Sequence, residues 1–62
     1  MLSIMEGDRV KVKSLKSLRQ IIWNKSGVVE RWTTADLYEV RLDYLPDKLF
    51  LLKTNEIEKE VI

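Results

Sequence analysis

Polar and hydrophobic residues alternate along two segments of the chain, Arg9–Lys13 and Leu37–Leu42. A period of two is the pattern of a β-strand that has one buried face. In the first segment this pattern turns the valines inward and the cations outward. In the second it places Tyr38, Val40 and Leu42 on the inner face.

Three further segments have the length and composition of strands. Val28–Trp32 follows a turn signal at Gly27, and Ile57–Ile62 ends the sequence. Leu49–Lys53 has strand length and opens with four consecutive apolar residues, which is typical of a strand buried on both faces or at a barrel crossover. Thr54–Glu56, between the last two strands, predicts a 3₁₀ turn. Short strands at spacings of about ten residues predict a small β-barrel, one domain that occupies residues 1–62.

Ser14–Ser26 has a different period. Its apolar residues recur at spacings of three and four, the period of a helix, and they are Leu15, Leu18, Ile21 and Ile22. Two structures fit this segment. It forms a helical turn or two, or it is a long loop folded over one end of the barrel, and the pattern does not decide between them.

The composition restricts the chemistry available to the chain. His and Cys are both absent, so disulfides and Cys/His zinc sites are excluded, and the usual bases and nucleophiles of neutral-pH catalysis are missing. The alternating acids Glu56, Glu58 and Glu60 predict a solvated strand face. We therefore expect a protein that is not an enzyme, with no catalytic residue, no metal site and no cofactor.

Charge is unevenly distributed, although the net charge is +1. Residues 1–32 carry seven Lys and Arg against three acids, and residues 33–62 carry four against seven. Such an asymmetry can steer a charged partner. The apolar N-terminus is too short for a signal peptide, and no run approaches the roughly 18 apolar residues of a membrane span. We expect a soluble protein of the cytoplasm, or of another intracellular compartment such as the plastid stroma.

From Gly7 to Val61 the pattern resembles that of the SH3-like small-barrel families. The resemblance rests on Gly7-Asp8-Arg9-Val10 at the first strand, Gly27-Val28-Val29 at the second, Tyr38-Glu39-Val40-Arg41-Leu42-Asp43 in the third, and Asn55-Glu56-Ile57-Glu58 where such barrels have a short 3₁₀ turn. It implies an all-β fold, a small five-stranded SH3-like barrel.

Two branches of these families look similar to the chain. KOW-type domains share the Gly-x-Val step at Gly27-Val28-Val29, and that resemblance implies binding of nucleic acid, RNA in particular. The small SH3-like accessory subunits of photosynthetic electron-transfer complexes are similar over Ile22–Val29 and Tyr38–Asp43. That resemblance implies a subunit without a cofactor that stabilises docking or assembly.

The two tryptophans are the strongest candidates for a binding surface. A core this small accommodates one Trp easily and two with difficulty, and Trp and Arg are the residues that most often anchor interfaces. Cations flank both tryptophans, and Tyr44 lies at the rim of the barrel. The candidate partner-binding residues are Trp23, Trp32, Lys16, Arg19, Lys25, Arg31 and Tyr44.

Three functional hypotheses follow from the sequence. The first is a non-catalytic accessory or adaptor module that docks on an acidic or mixed surface of a larger protein or complex. The second is an RNA-binding module of the KOW type, in which aromatic side chains stack on bases and the basic N-terminal half contacts phosphates. The third is a homo-oligomer built by strand pairing at an open barrel edge, with Leu49–Leu52 as its interface.

Overall fold

A computed structural model describes residues 4–60, which form five β-strands and two 3₁₀ turns. The strands are β1 (Arg9–Val12), β2 (Ser26–Trp32), β3 (Leu37–Leu42), β4 (Leu49–Lys53) and β5 (Ile57–Lys59), and the turns are Gln20–Ile22 and Thr54–Glu56. All neighbouring strands are antiparallel, in the order β4-β3-β2-β1-β5. The sheet encloses one core, so the predicted all-β, five-stranded SH3-like barrel is confirmed.

The predicted elements differ from the observed ones mainly at their ends. β3, β4 and the second 3₁₀ turn have the predicted bounds. β1 ends one residue earlier than predicted, at Val12. The amide of Lys13 still donates to the carbonyl of Glu56 (2.9 Å), in register with β5, but Glu56 belongs to the second 3₁₀ turn and not to the strand. β2 begins earlier, at Ser26. The predicted last strand includes residues 61 and 62, which lie outside the described part of the chain.

The segment between β1 and β2 is a loop that contains one 3₁₀ turn, Gln20–Ile22. This decides between the two structures that the sequence allowed. Ile22 is buried, whereas Ile21 is 64% exposed. The helical spacing of apolar residues therefore reflects one loop turn that inserts a single side chain into the core.

The core draws apolar side chains from every strand. The buried ones among residues 4–60 are Val10, Val12, Ile22, Val29, Val40, Leu42, Leu52 and Ile57. Ile4, Leu18, Tyr38 and Phe50 pack against them and are partly buried. No polar or charged residue within this described range is buried. The residues predicted to face inward on β1 and β3 all belong to this core or pack against it, so those predictions are confirmed.

The expectation that the apolar run of β4 is buried on both faces is wrong. Leu52 is buried and Phe50 is partly buried, but Leu49 and Leu51 are 42% and 61% exposed. The physical reason is that β4 is an edge strand with β3 as its neighbour, and no second layer covers its outer face. Two large apolar side chains of the run therefore lie in solvent.

A β-bulge in β2 changes the direction of its last residues. The pairing with β3 shifts between Val29 and Arg31, which leaves Glu30 as the extra residue. Without the bulge, strict alternation from the buried Val29 would turn Trp32 outward. With it, Trp32 lies opposite Tyr38, a residue that packs against the core.

Gly27 allows the central strand to approach its neighbours closely. It is buried between Val10 of β1 and Leu42 of β3. A Cβ atom at this position would lie 2.3 Å from the carbonyl oxygen of Arg41 and 2.9 Å from the Cα of Leu42. Both are backbone atoms and cannot swing aside, so a side chain here would push β2 and β3 apart.

We therefore expect Gly27→Ala to lower the free energy of unfolding by about 3 kcal/mol, the upper end of the usual cost of overpacking. Gly7→Ala is the matched control, because a Cβ there meets no atom within 4 Å. Gly7 has a φ of +90°, so this variant measures the cost of backbone strain without a steric clash. That backbone strain alone costs about 1–2 kcal/mol. Urea unfolding of the two variants measures both values, and equal losses would contradict the role given to Gly27.

Arg9 connects three parts of the barrel through exposed ion pairs. Its Nη1 and Nη2 donate to the two carboxylate oxygens of Asp43 (3.2 and 2.6 Å), and its Nε lies 3.5 Å from Oε1 of Glu60. The hydroxyl of Ser26 donates to the other oxygen of Glu60 (2.5 Å). The hydrogen bond from Arg9 holds the pKa of the Asp43 carboxyl below its usual value and raises the pKa of Arg9.

A lowered pKa in the folded state means that ionised Asp43 stabilises the fold. This contribution is complete above the unfolded pKa of about 4 and is lost as the pH falls through the lower folded-state pKa. We expect Asp43→Asn to be less stable than the parent chain at pH 7, with a difference that closes as the pH falls below about 4. Asp47→Asn, in the same turn but without an ion pair to Arg9, is the control for the loss of one acidic side chain. Acid-unfolding curves of the parent chain and of both variants measure the difference.

Candidate functional site

The segment before β1 is held across the ends of β2 and β3. The amide of Gly7 donates to the carbonyl of Val29 (2.8 Å), and the amide of Val29 donates to the carbonyl of Asp8 (2.9 Å). The hydroxyl of Tyr38 donates to the carbonyl of Ile4 (3.1 Å). These bonds fix the segment beside the end of β2, where the bulge has placed an aromatic side chain.

An open cleft, the Trp32 cleft, is formed there by Ile4, Met5, Glu6, Trp32 and Tyr38. Its volume is ≈ 570 Å³. Trp32 is 53% exposed and Met5 is 65% exposed. Its lining therefore consists of four large apolar or aromatic side chains and one carboxylate, with no cation among them.

The side chain of Trp32 is fixed in position although half of it is exposed. Its Nε1–H donates to the carbonyl of Ala35 (2.8 Å), in a turn where Ala35 has φ 47°. Its backbone amide donates to Oε2 of Glu6 (3.3 Å). An aromatic side chain that is already immobilised loses little conformational entropy when a partner covers it.

Trp23, the other candidate tryptophan, is held within the loop between β1 and β2. It is partly buried, and its Nε1–H donates to the carbonyls of both Leu15 (3.0 Å) and Leu18 (3.2 Å). The indole thus satisfies the backbone of the loop between β1 and β2. Trp23 and Trp32 lie at opposite ends of β2, which spans about 20 Å, so they do not belong to one patch.

Two of the predicted residues, Lys25 and Tyr44, do meet. The Nζ of Lys25 lies 5.4 Å from the centroid of the Tyr44 ring. The centroids of the Tyr44 and Phe50 rings lie 6.5 Å apart. The Nζ of Lys48 lies 5.2 Å from the Phe50 ring. These four residues form a second surface feature, the cation–aromatic cluster, at the end of the barrel away from the Trp32 cleft.

The remaining predicted residues are dispersed. Lys16 and Arg19 are exposed on the loop after β1. Arg31 lies next to Trp32 in sequence but on the outer face, with its Nε 3.4 Å from Oε1 of Glu39. The candidate partner-binding residues therefore lie at two ends of the barrel. Trp32 and Arg31 lie at the end of β2, and the others lie at its start or in the loops beside it, namely Trp23, Lys16, Arg19, Lys25 and Tyr44.

Sequence reasoning missed four residues of the Trp32 cleft. The alternation of β3 predicts Tyr38 in the core, and it does pack there, but it also lines the cleft. Ile4, Met5 and Glu6 precede the first strand, and the sequence pattern predicts no role for them. One sequence feature could have indicated this surface, because Ile4 and Met5 are two large apolar residues that lie directly before a turn and outside any predicted strand.

Comparisons of the chain with protein-family models, with curated proteins and with solved structures found no match. The resemblance to the SH3-like families thus stays a prediction, beside an architecture that is confirmed. Within residues 4–60 there is no helix with the length and apolarity needed to cross a membrane. The same range contains no group of three or more acidic side chains placed to hold a metal ion.

The contrast between the two tryptophans gives a matched pair of substitutions. Trp23→Phe leaves the carbonyl of Leu18 in a partly buried loop without its donor, whereas the carbonyl of Leu15 keeps the amide of Leu18 (2.9 Å). We expect it to lower the free energy of unfolding by about 1–3 kcal/mol. Trp32→Phe removes a bond to an exposed carbonyl and should cost less than about 0.5 kcal/mol. Urea unfolding compares them, and a larger loss at Trp32 would contradict the roles assigned here.

Proposed function

We propose that the chain is a non-catalytic protein-binding module that docks on a larger protein or complex through the Trp32 cleft. The observation that carries this proposal is the state of Trp32, which is 53% exposed in an apolar cleft, while its indole N–H donates to Ala35 and its backbone amide donates to Glu6. Tryptophan is among the residues that most often dominate binding energy when a partner covers them. A pre-positioned anchor of this kind suits recognition.

The chemistry of the cleft favours a protein segment over a nucleic acid. Glu6 is exposed at its rim, and a carboxylate repels phosphate groups. The apolar walls made by Ile4, Met5 and the aromatic rings match an aliphatic or aromatic side chain. The partner we expect presents such a side chain together with an N–H donor or a cation that faces Glu6.

The size of the cleft limits how the partner binds. A volume of ≈ 570 Å³ admits a few side chains of a peptide segment, within the usual range of ligand pockets. One anchor in an open cleft gives modest affinity, because binding must first offset the loss of translational and rotational freedom. This suits a transient interaction, or an accessory role in a complex that holds the module at further points.

A second candidate function, RNA binding, is favoured by the cation–aromatic cluster. There Lys25 and Lys48 lie over the rings of Tyr44 and Phe50, and aromatic rings flanked by cations are the usual platform for single-stranded RNA. Several cations of the N-terminal half form no ion pair with a residue in the described range 4–60, namely Lys11, Lys13, Lys16, Arg19 and Lys25.

An NMR experiment separates the two functions, because each tryptophan has its own indole N–H signal. Peptides are first selected from a random phage library on the parent chain and counter-selected on Trp32→Ala. Titrating them into ¹⁵N-labelled protein should shift the Trp32 indole and the amides of Met5 and Glu6, and leave the Trp23 indole unchanged. A short oligouridine is titrated in parallel, at low and at physiological salt.

We expect Trp32→Ala to weaken binding of the selected peptides by at least about 30-fold, the loss typical of a hot-spot residue. Ile21→Ala is the control, since Ile21 is 64% exposed and lies in the loop after β1. Failure to find any peptide whose binding depends on Trp32 would contradict the proposal. Oligouridine shifts at Lys25 and Tyr44 that weaken steeply with salt would make RNA binding the better function.

A further inference from the structure

β4 forms one edge of the described sheet, and its backbone polar groups lack a neighbouring strand on that side. The amide of Leu37 donates to the carbonyl of Thr34 (2.8 Å), and the carbonyl of Leu37 accepts from the amide of Thr33 (3.0 Å). Both groups therefore point away from β4, and Leu37 and Lys53 form a non-hydrogen-bonded pair. Because bonded and non-bonded pairs alternate in an antiparallel ladder, the N–H and C=O of Leu49 and Leu51 point away from β3.

This edge also lacks the usual protection against pairing with another strand. Natural edge strands carry charges, Pro or bulges, or are very short. Four consecutive apolar residues, Leu49–Leu52, make up most of β4, and Leu51 is 61% exposed. The other edge of the described sheet, β5, is protected, because it spans three residues and includes Glu58 and Lys59.

We propose that β4 pairs with β4 of a second copy of this chain, antiparallel and centred on Leu51, to form a two-fold symmetric dimer. In this register the two Leu51 residues face each other and exchange N–H···O bonds, and Leu49 of each copy lies opposite Lys53 of the other. The exposed leucines of the two outer faces then form one continuous apolar stripe, to which the Lys53 stems add apolar cover.

The charges around the edge favour a second copy as the occupant. The outer face beside β4 is neutralised within the chain, since Arg31 pairs with Glu39 (3.4 Å) and Arg41 with Glu30 (3.0 Å). Lys53 adds one cation to this face, but in the centred register the Lys53 residues of the two copies lie four residue steps apart along the strands. That separation of about 14 Å exceeds the Debye length of roughly 8–10 Å, so their repulsion is screened. Antiparallel pairing also brings the Lys48 end of one copy toward the turn of the other that contains Glu56.

The two edges also determine the size of the assembly. Because β5 is protected and β4 is not, the sheet formed by residues 4–60 has one pairing edge, and pairing through one edge closes at two copies. A contact of five residues from each copy lies at the low end of interface sizes, below about 1,200 Å² in total. The dimer is therefore weak and appears as the concentration rises.

The test is sedimentation velocity and NMR translational diffusion of the full chain up to about 1 mM. We expect the parent chain to change from monomer to dimer over this range. Leu51→Lys places two cations at the symmetry axis and should leave a monomer throughout. Ile21→Lys is the matched control, because Ile21 is exposed to the same degree (64% against 61%), and it should dimerise as the parent does.

A mixed sample of labelled and unlabelled chains tests the register. Centred pairing on Leu51 makes Phe50 and the second copy's Leu52 a non-hydrogen-bonded pair, whose Hα atoms are close enough for an intermolecular NOE. A parent chain that stays monomeric at every concentration would overturn the proposal and leave the edge to a strand of another protein. Unchanged association of Leu51→Lys, or its loss in Ile21→Lys, would overturn it as well.

Discussion

The barrel depends on the burial of one small set of apolar side chains to which every strand contributes. A chain of 62 residues without cysteine or histidine has no disulfide or Cys/His zinc site to supplement that core, and domains of this size are marginally stable. The strands must therefore approach closely, and Gly27 makes this possible at the centre of the sheet, where a Cβ would lie 2.3 Å from the carbonyl oxygen of Arg41.

The same constraint produces the candidate site. β2 contributes Val29 to the core, and the bulge at Glu30 then turns Trp32 toward Tyr38. The indole lines the cleft there with 53% of its surface exposed. One added residue in a central strand thus converts an aromatic side chain from an outer-face residue into a wall of the cleft, a use of bulges that is common near functional sites.

Much of the fold could be predicted from the sequence, because it is encoded in local patterns. The alternation in β1 and β3 follows from burial of one face, and each valine, tyrosine and leucine expected inside those strands packs in or against the core. The error at β4 has a physical cause. An apolar run looks the same in sequence whether the strand is buried on both faces or on one. Whether a strand lies at the edge of a sheet depends on the topology of the whole fold, which a local pattern does not encode.

The candidate site was less predictable, because it depends on contacts between distant residues. Nothing in the sequence near Trp32 indicates that Ile4 and Glu6 will lie beside it, since a hydrogen bond from Tyr38 and a bulge in β2 bring them there. Trp23 shows the converse. Its position between cations predicts a binding surface, but nothing in the local sequence indicates that its indole N–H donates to the carbonyls of Leu15 and Leu18 and so stabilises the loop.

The two proposed surfaces are connected through one strand pair. Tyr38 lines the Trp32 cleft and is paired with Leu52 of β4, the strand proposed to pair with a second copy. A dimer through β4 therefore places two clefts on one continuous sheet, each one strand away from the interface. A single cleft of this size binds modestly, whereas two clefts held at a fixed spacing raise the effective concentration for a partner that carries two matching segments. Weak pairing and weak docking then reinforce each other, because a bivalent partner stabilises the dimer that binds it.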